Sequence, residues 1–132
     1  MDIHGITLVK DYAALPIELY CNAHKIQQAL MSLLMNSIEA MPKGGKIILN
    51  VTLENSIVKL RIIDEGIGIS DKDLPHIFEP FYSTKEASNG TGLGLAVAYG
   101  IIANHKGKIE VEKTSNQGTT FRVVLPQNEQ LV

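Results

Sequence analysis

Apolar residues repeat with helical spacing between residues 23 and 41 of the chain. Side chains at i, i+3, i+4 and i+7 share one face of a helix, so the repeat describes an amphipathic helix with a buried stripe. Asn22 stands directly before the repeat, where its side chain can cap the first turn, and Pro42 and Gly44 end it. We therefore predict a helix over residues 23–41. The residues of the stripe are Ile26, Ala29, Leu30, Leu33, Leu34, Ser37, Ile38 and Met41.

Alternation of apolar and polar residues predicts strands on both sides of this helix. Period-two alternation places every second side chain on the same face of a sheet, which is the pattern of a half-buried strand. Asn55-Ser56 and Asn116-Gln117-Gly118 interrupt the alternation as turns, so each joins two strands into a hairpin. The predicted strands are Ile6–Lys10, Ile17–Cys21 after the break at Pro16, the two halves of a hairpin over residues 46–63, and the pair Lys108–Lys113 with Thr119–Leu125.

Two further helices are predicted in the second half of the chain. Ser70 can cap a short helix whose first turn holds Asp71 and Asp73, where acidic side chains interact favourably with the helix dipole. The run from Leu93 to Asn104 is apolar enough for a well-buried helix. Residues 78–92, between these two helices, are predicted to form a mobile loop.

The order of these elements favours the α+β class, because strands and helices neither alternate strictly nor form one uninterrupted run of strands. We expect a two-layer α/β sandwich, in which one mixed, mostly antiparallel sheet carries three helices on one face. The other face is expected to meet water, because its strands place polar residues there. These residues are Asn50, Thr52, Lys59 and Arg61.

Length and composition restrict the class of protein. A chain of 132 residues, of which 45% are hydrophobic and 20% charged, is expected to form one globular domain over residues 1–132. The formal net charge of −2 offers no basic excess for a nucleic acid. Apolar runs are too short for a membrane span, so we expect no membrane contact by this domain. The lone Cys21 indicates a reducing, cytoplasmic location, and the lack of a heptad repeat favours a monomer.

A glycine-rich stretch, Gly90-Thr91-Gly92-Leu93-Gly94-Leu95, stands where the predicted loop enters the last helix. Backbone N–H groups and the positive end of the helix dipole can hold a phosphate at such a place. The alternative is that the glycines only permit a tight loop. A dinucleotide fingerprint is excluded because no strand comes directly before the stretch, and a Walker P-loop is excluded because Gly-Lys-Ser/Thr is missing.

Asp64 ends the first predicted hairpin and is followed by Gly66 and Gly68. A carboxylate at the end of a strand, walled by apolar side chains, can accept a hydrogen bond from an exocyclic amine such as that of adenine. The alternative is an ordinary acidic turn at a strand end. The sequence therefore makes Asp64 a candidate for recognition of a base.

Asn36 lies at the border of the apolar stripe of the first helix. A neutral amide oxygen at that place suits Mg²⁺, which binds few protein ligands and takes the others from phosphates and water. Simple exposure to solvent would also explain a polar residue at the edge of a stripe. Each of these features has an alternative explanation when taken alone. Only their combination indicates a function, and its members are Asn36, Asp64 and the glycine-rich stretch.

In combination, these segments resemble the sequence boxes of sensor histidine kinase catalytic domains. Asn36–Ala40, Asp64–Gly68, Phe78–Tyr82 and Gly90–Leu95 occur in the order and spacing of the family's N, first glycine, F and second glycine boxes. The resemblance covers nearly the whole chain, since Gly118-Thr119 with Phe121 is similar to the closing strand of the family. Within the family, the segment MPKGGK resembles the nitrogen-regulation-type branch.

The resemblance implies the Bergerat α/β sandwich, which gyrase, large heat-shock chaperones and mismatch-repair ATPases share, and with it the cofactors ATP and Mg²⁺. The loop of residues 78–92 would be the ATP lid, with Phe78 and Phe81 as its anchors. The implied nucleotide-binding residues are Asn36, Glu39, Ala40, Asp64, Gly66, Gly68, Ile69, Phe81, Lys85, Gly90, Thr91, Gly92, Leu93, Gly94, Leu95 and Thr119.

Roles within this set follow from the same resemblance. Asn36 would ligate Mg²⁺, Asp64 would bind the adenine amine, and Thr119 would support the pocket beside Asp64. The two glycines after Asp64 would let the chain approach the base. The backbone of Gly90–Leu95 would hold the phosphates.

Two positions depart from the pattern of the family. Ser32, four residues before Asn36, stands where many histidine kinases have a second asparagine and where the hydrolysing relatives have a glutamate that activates water. Without such a base, phosphoryl transfer is favoured over ATP hydrolysis. Glu39 stands where many members carry a lysine that contacts phosphate. Lys85 in the lid is our preferred replacement and Lys43 the alternative, although both lysines are equally explained as solvated surface charge.

The histidines of the chain do not match the acceptor pattern of the family, in which an acidic residue follows the histidine. They are His4, His24, His76 and His105. We therefore expect the accepting histidine on a separate dimerisation domain that this chain lacks, with a response regulator downstream. The expected activity is that of a protein histidine kinase in two-component signalling, which does not autophosphorylate alone and for which no catalytic residue is singled out. A Bergerat-type ATPase and a nucleotide-sensing interaction module without transfer are the alternatives.

Overall fold

A computed structural model of the chain describes residues 2–3, 5–12, 21–82 and 94–127. Its strands are β1 (Asp2–Ile3), β2 (Ile6–Tyr12), β3 (Gly45–Glu54), β4 (Ile57–Asp64), β5 (Lys108–Ser115) and β6 (Gly118–Pro126). Its helices are α1 (Ala23–Glu39) and α2 (Gly94–Asn104), with a 3-10 turn at Leu74–His76. The described strands form one sheet in the order β1-β2-β3-β4-β6-β5.

The sheet is mixed and mostly antiparallel, as predicted. β2 and β3 run parallel, and the other neighbouring pairs in the described sheet are antiparallel. The chain passes through α1 between β2 and β3, because a parallel pair needs a long crossover connection. Asn55 (φ 53°) and Ser56 (φ 63°) both adopt the left-handed conformation that a tight hairpin turn requires, so the turn lies where the sequence predicts it.

Helix α1 begins as predicted and ends slightly early. The Asn22 side chain accepts a hydrogen bond of 3.1 Å from the Lys25 N–H, which caps the first turn. The helix ends at Glu39 instead of residue 41, because the Ala40 carbonyl accepts a hydrogen bond of 3.0 Å from the Ile67 N–H and the chain turns toward that loop.

The short helix predicted after Ser70 is an even shorter element than expected. Ser70 does bond the start of the segment, since its Oγ accepts a hydrogen bond of 3.2 Å from the Asp73 N–H. Only the 3-10 turn Leu74–His76 follows. Pro75 explains the difference, because proline has no N–H to donate and disfavours helical geometry at the residue before it.

Other predicted segments fall partly or wholly outside the described ranges. The predicted strand Ile17–Cys21 lies there except for Cys21, which forms a bend and not a strand. Most of the predicted lid, residues 83–92, lies outside them as well, as does Leu93. Neither α1, α2 nor the 3-10 turn, the helices of the described ranges, has the length and apolarity to span a bilayer.

The hydrophobic core fills the space between the sheet and the two helices. Alternate residues of β4 and β6 point into it, as the two-residue period of a strand requires. The core residues without any exposed surface are Ala29, Leu33, Ile62, Ala98, Ile102, Phe121 and Val123. The core therefore fixes the ends of β4 and β6 against α1.

The opposite face of the sheet is polar, as predicted. Arg61 Nε lies 2.7 Å from Glu112 Oε1, and Arg122 lies 3.1 Å from Glu110 and 3.9 Å from Glu112. The hydrogen bond from Arg61 lowers the pKa of Glu112 below its usual value. Charged pairs of this kind stay partly hydrated, so they keep the face soluble and contribute little to stability.

Ser37 is the one polar residue of the α1 core face. It has no exposed surface, and its Oγ has no hydrogen-bond partner among the described residues. An unpaired buried hydroxyl costs about 1–3 kcal/mol, and alanine is the better helix former by about 0.5 kcal/mol. We predict that Ser37→Ala raises the free energy of unfolding by about 1 kcal/mol or more in urea denaturation.

The matched control for this prediction is Ser32→Ala on the same helix, where the side chain is half-buried. It reports helix propensity alone and is expected to change stability by only a few tenths of a kcal/mol. If Ser37→Ala is less stable than the unmodified protein, the Ser37 hydroxyl has a partner and the prediction is wrong.

Candidate functional site

Asp64 ends β4 with one carboxylate oxygen occupied and the other vacant. Its Oδ1 accepts hydrogen bonds of 2.8 Å from the Gly66 N–H and 3.1 Å from the Thr119 N–H. The residue is only 4% exposed, and Oδ2 is buried without a partner in the described part of the chain. Unpaired buried acceptors are rare in folded proteins and call for an explanation. Oδ2 is therefore the acceptor that a ligand can use.

The turn after Asp64 is tightly enclosed by other main-chain segments. A Cβ on Gly66 would lie 2.7 Å from the Ala40 carbonyl oxygen, and a Cβ on Gly68 would lie 2.0 Å from the Ser115 carbonyl oxygen. Gly68 also has a φ of +82°, which favours glycine. Packing within the protein thus already requires both glycines. Their closeness to a base stays a prediction.

Thr119 and Thr114 add two hydroxyl groups to the site beside Asp64. Thr119 is buried, and its Oγ1 lies 2.8 Å from Thr114 Oγ1. The Thr114 hydroxyl also accepts a hydrogen bond of 2.9 Å from the Ile69 N–H. The predicted residues Asp64, Ile69 and Thr119 therefore belong to one hydrogen-bonded group, and Thr114 connects two of them.

Sequence reasoning missed Thr114. A register irregularity between Val111 and Lys113 in β5 shifts the alternation, so that Thr114 pairs with Thr119. Before that irregularity, Ile109 and Val111 alternate regularly, which makes Thr114 a polar residue on the open face by simple counting. The position of Thr114 could have been found only by counting back across the hairpin turn from Thr119.

Asn36 lies half-buried on the α1 flank that faces the rest of the site. Ser32 and Ala40, one turn before and one turn after it, share this flank because residues four apart are neighbours on a helix. Ala40 contacts Gly66, and the position of a Cβ on Gly94 would be 3.9 Å from Ser32. Asn36 is therefore placed between the start of α2 and the turn that follows Asp64.

The described residues fit a magnesium ion that arrives with a nucleotide. They include no group of three or more His, Cys, Asp or Glu side chains that could hold a metal ion alone. The amide oxygen of Asn36 is a suitable single ligand, and Mg²⁺ commonly completes its shell with phosphate oxygens and water. Glu39, on the last turn of α1, is exposed.

The two phenylalanines predicted to anchor the lid differ from each other. The Phe78 ring packs 5.3 Å from the Tyr99 ring and 6.4 Å from the Phe121 ring, so it joins the core. Phe81 is 75% exposed and has a φ of +66°, which is uncommon for a bulky residue. Its role as an anchor of the lid stays a prediction, because residues 83–92 lie outside the described ranges.

Tyr82, the last described residue of the predicted lid over residues 78–92, is bonded to Asp73. The Tyr82 hydroxyl donates to Asp73 Oδ1, and the Ser70 hydroxyl donates to Asp73 Oδ2 over 3.0 Å. These donors, Tyr82 first, lower the pKa of Asp73, and the bond to Asp73 raises the pKa of Tyr82. The first residues of the predicted lid are thus held by a polar cluster that the sequence patterns did not indicate.

Several predicted site residues are outside the described ranges or at their border. Lys85 and the residues 90–93 lie outside them, while Gly94 and Leu95 form the first turn of α2. Lys43 is exposed beyond the end of α1. The contacts of both lysines with phosphate remain predictions.

His105 has a structural role. Its Nδ1 lies 2.9 Å from the Ile101 carbonyl oxygen, and its Nε2 accepts a hydrogen bond of 3.1 Å from the Asn22 N–H. The ring is therefore neutral, with its proton on Nδ1, and links the end of α2 to the start of α1. His24 and His76 are exposed, and His4 lies outside the described ranges.

Known proteins similar to this chain share one family. The profile of the family described as histidine kinase-, DNA gyrase B- and HSP90-like ATPase matches residues 21–129. Sporulation kinase E of Bacillus subtilis is 43% identical over 109 residues, which are 82% of this chain and 14% of that protein. Sporulation kinase A of the same organism is 36% identical over 126 residues, 96% of this chain and 20% of that protein. The chain thus spans at most about a fifth of the length of these two relatives.

The fold agrees with the family. The solved catalytic domain of the histidine kinase ThkA superposes with a TM-score of 0.83 at 30% sequence identity, covering 94% of this chain and 80% of that chain. Fold, profile and relatives are consistent over most of the described residues. The chain therefore belongs to the histidine kinase-, DNA gyrase B- and HSP90-like ATPase family, as a catalytic domain of the histidine kinase type.

Proposed function

We propose that this domain binds Mg-ATP and donates the γ-phosphoryl group to a histidine on a separate dimerisation domain, in a two-component system with a response regulator downstream. The observation that carries the proposal is the buried Asp64, whose Oδ1 is held by two backbone N–H groups while Oδ2 has no donor among the described residues. Membership of the family and the kinases among its relatives support the transfer activity.

The chemistry of Asp64 selects adenine over guanine. Adenine presents an amino group where guanine presents a carbonyl oxygen. A carboxylate has no hydrogen to donate, so the unpaired Oδ2 can act only as an acceptor. It therefore attracts the amine of adenine and repels the carbonyl of guanine. Because Oδ1 is fixed by the backbone, Oδ2 keeps its direction before the base arrives.

The phosphates of the nucleotide would lie on the side of Asn36 that is away from Asp64. The first turn of α2 begins at Gly94, close to Ser32 on α1, and a helix N-terminus favours anions. Mg²⁺, held by Asn36 and the phosphate oxygens, would neutralise part of the triphosphate charge when bound. Phosphoryl transfer depends mainly on positioning and charge neutralisation, which is the part this domain would supply. The lid of residues 78–92, with Lys85 and the glycine-rich stretch, belongs to this half of the proposal.

Transfer is favoured over hydrolysis because Ser32, one turn before Asn36 on α1, stands where the hydrolysing relatives have a glutamate that activates water. A serine hydroxyl cannot take a proton from water at neutral pH. A Bergerat-type ATPase remains the first alternative. A nucleotide-sensing module that never donates phosphate is the second, and only a transfer assay separates it from a kinase.

The bounds, oligomeric state, location and branch of the domain are also proposed. We treat residues 1–132 as one ATP-binding catalytic domain that is monomeric in isolation and works in the cytoplasm, where ATP is available. The segment MPKGGK supports the nitrogen-regulation-type branch. The most similar relatives described above are sporulation kinases, so the branch rests on that segment alone.

The first test of the adenine site is Asp64→Asn. The asparagine oxygen can still accept from the Gly66 and Thr119 N–H groups, while its NH₂ group would meet the adenine amine donor to donor. We predict that Mg-ATP binding weakens about 10- to 100-fold and that the preference for Mg-ATP over Mg-GTP disappears, as measured by titration calorimetry.

Asp71→Asn is the matched control, because it removes one carboxylate charge from an exposed position. It is expected to bind Mg-ATP like the unmodified protein. Unchanged Mg-ATP affinity in Asp64→Asn would overturn the adenine assignment.

Asn36→Ala tests the proposed magnesium ligand. In the unmodified protein we expect ATP to bind about tenfold more tightly with Mg²⁺ than with EDTA, because Asn36 would hold the ion and the ion would neutralise phosphate charge. In Asn36→Ala the two affinities are expected to converge. A variant that keeps the full effect of Mg²⁺ would show that the ion is held elsewhere.

Transfer itself is tested with γ-labelled ATP and a purified dimerisation domain that carries an acceptor histidine. We predict an acid-labile, alkali-stable phosphohistidine on the dimerisation domain, and no label on the present chain alone. The same reactions are followed for released phosphate. Steady phosphate release without any labelled histidine would establish the ATPase alternative, and ATP binding with neither product would establish the sensing module.

A further inference from the structure

The Thr114 hydroxyl connects the turn that follows β4 with Thr119, the residue that bonds Asp64. It accepts a hydrogen bond of 2.9 Å from the Ile69 N–H and lies 2.8 Å from the Thr119 hydroxyl. Thr119 in turn donates its backbone N–H to Asp64 Oδ1 over 3.1 Å. One side chain from β5 therefore connects the turn after β4 with the residue that holds Asp64.

Either hydroxyl can donate the bond between the two threonines. Each has one hydrogen to donate and two lone pairs to accept with. Because Thr114 already accepts from Ile69, and a hydroxyl that accepts a bond becomes a better donor, we take Thr114 as the donor in this pair. The Thr119 hydroxyl then keeps its own hydrogen for another acceptor.

This arrangement matches the edge of adenine. Adenine presents an amine donor beside a ring nitrogen that accepts. Asp64 Oδ2 supplies an acceptor. With Thr114 as the donor between the threonines, the hydrogen of the Thr119 hydroxyl is available as a donor beside it. Hypoxanthine, in which a carbonyl replaces the amine and the neighbouring ring nitrogen carries a hydrogen, presents the opposite pattern.

We propose that Thr114 is a positioning residue for nucleotide selectivity: its hydroxyl orients the Thr119 hydroxyl and the Gly68-Ile69 turn so that the Asp64 site accepts adenine. The inference rests on the proposed binding of ATP at Asp64 and adds a residue to it. Main-chain packing supports the coupling, because Gly68 lies directly against the Ser115 carbonyl, next to Thr114. A displacement of Thr114 therefore reaches the turn as well as Thr119.

The test compares Thr114→Val, which keeps the shape and removes the hydroxyl, with Thr114→Ser, which keeps the hydroxyl. Thr52→Val, at an exposed position of β3, is the matched control. Mg-ATP and Mg-ITP are titrated calorimetrically into each folded protein. We expect Thr114→Val to weaken ATP about 3- to 10-fold, the worth of one neutral hydrogen bond, and to weaken ITP less, so that the ATP-to-ITP preference falls. Thr114→Ser and Thr52→Val are expected to keep the preference.

The outcomes separate this inference from the proposed function. Equal losses of ATP and ITP in Thr114→Val, or an unchanged preference, would reduce Thr114 to a structural residue and overturn the inference. If Asp64→Asn loses the preference while Thr114→Val keeps it, only the inference fails. If the unmodified protein binds neither nucleotide, both fail. Thr114→Ala replaces the valine variant and is judged in the same way if valine prevents folding.

Discussion

The pair of hydrogen bonds from the Gly66 and Thr119 N–H groups to Asp64 Oδ1 is the constraint on which the site depends. β4 and β6 are neighbours in the sheet, and their register places Asp64 opposite Thr119. The two donors fix the carboxylate where the strand ends, so its other oxygen has one direction before any ligand binds. A pre-oriented acceptor lowers the entropic cost of binding. In the proposed function, the register of the sheet thus determines where the base is recognised.

The turn after Asp64 also packs against segments that are distant from it in the sequence. Gly66 packs against Ala40 at the end of α1, and Gly68 packs against Ser115 at the end of β5. Gly118, with a φ of +144°, lies so close to the Asp64 carbonyl that a Cβ would be 2.0 Å away. The end of α1 and the β5–β6 turn therefore belong to the site as much as the residues that face the ligand.

Most of the fold could be predicted from the sequence because its elements have clear periods. α1 follows the helical spacing of its stripe, and the hairpin turn at Asn55-Ser56 breaks two alternating runs. Prediction failed where a local feature overrides the period. Pro75 reduces a predicted helix to a 3-10 turn, and the irregularity in β5 brings Thr114 beside Thr119. Contacts across an irregular strand cannot be counted from spacing, which is why Thr114 was missed while Asp64 was found.

The proposed site divides into two halves, one for adenine and one for the phosphates. The proposed adenine half is built from strand ends and a main-chain-packed turn. The Ile69 N–H bonds Thr114, the Thr119 N–H bonds Asp64 Oδ1, and Asp64 Oδ2 has no partner among the described residues. In the proposed function, the phosphate half consists of the α1 flank around Asn36 and the first turn of α2, where Gly94 lies close to Ser32. The packing around Asp64 leaves little room for that half of the site to change. If a second domain approaches the phosphate as proposed, it has to do so from the α2 side of Asn36, because main-chain segments enclose the turn after Asp64.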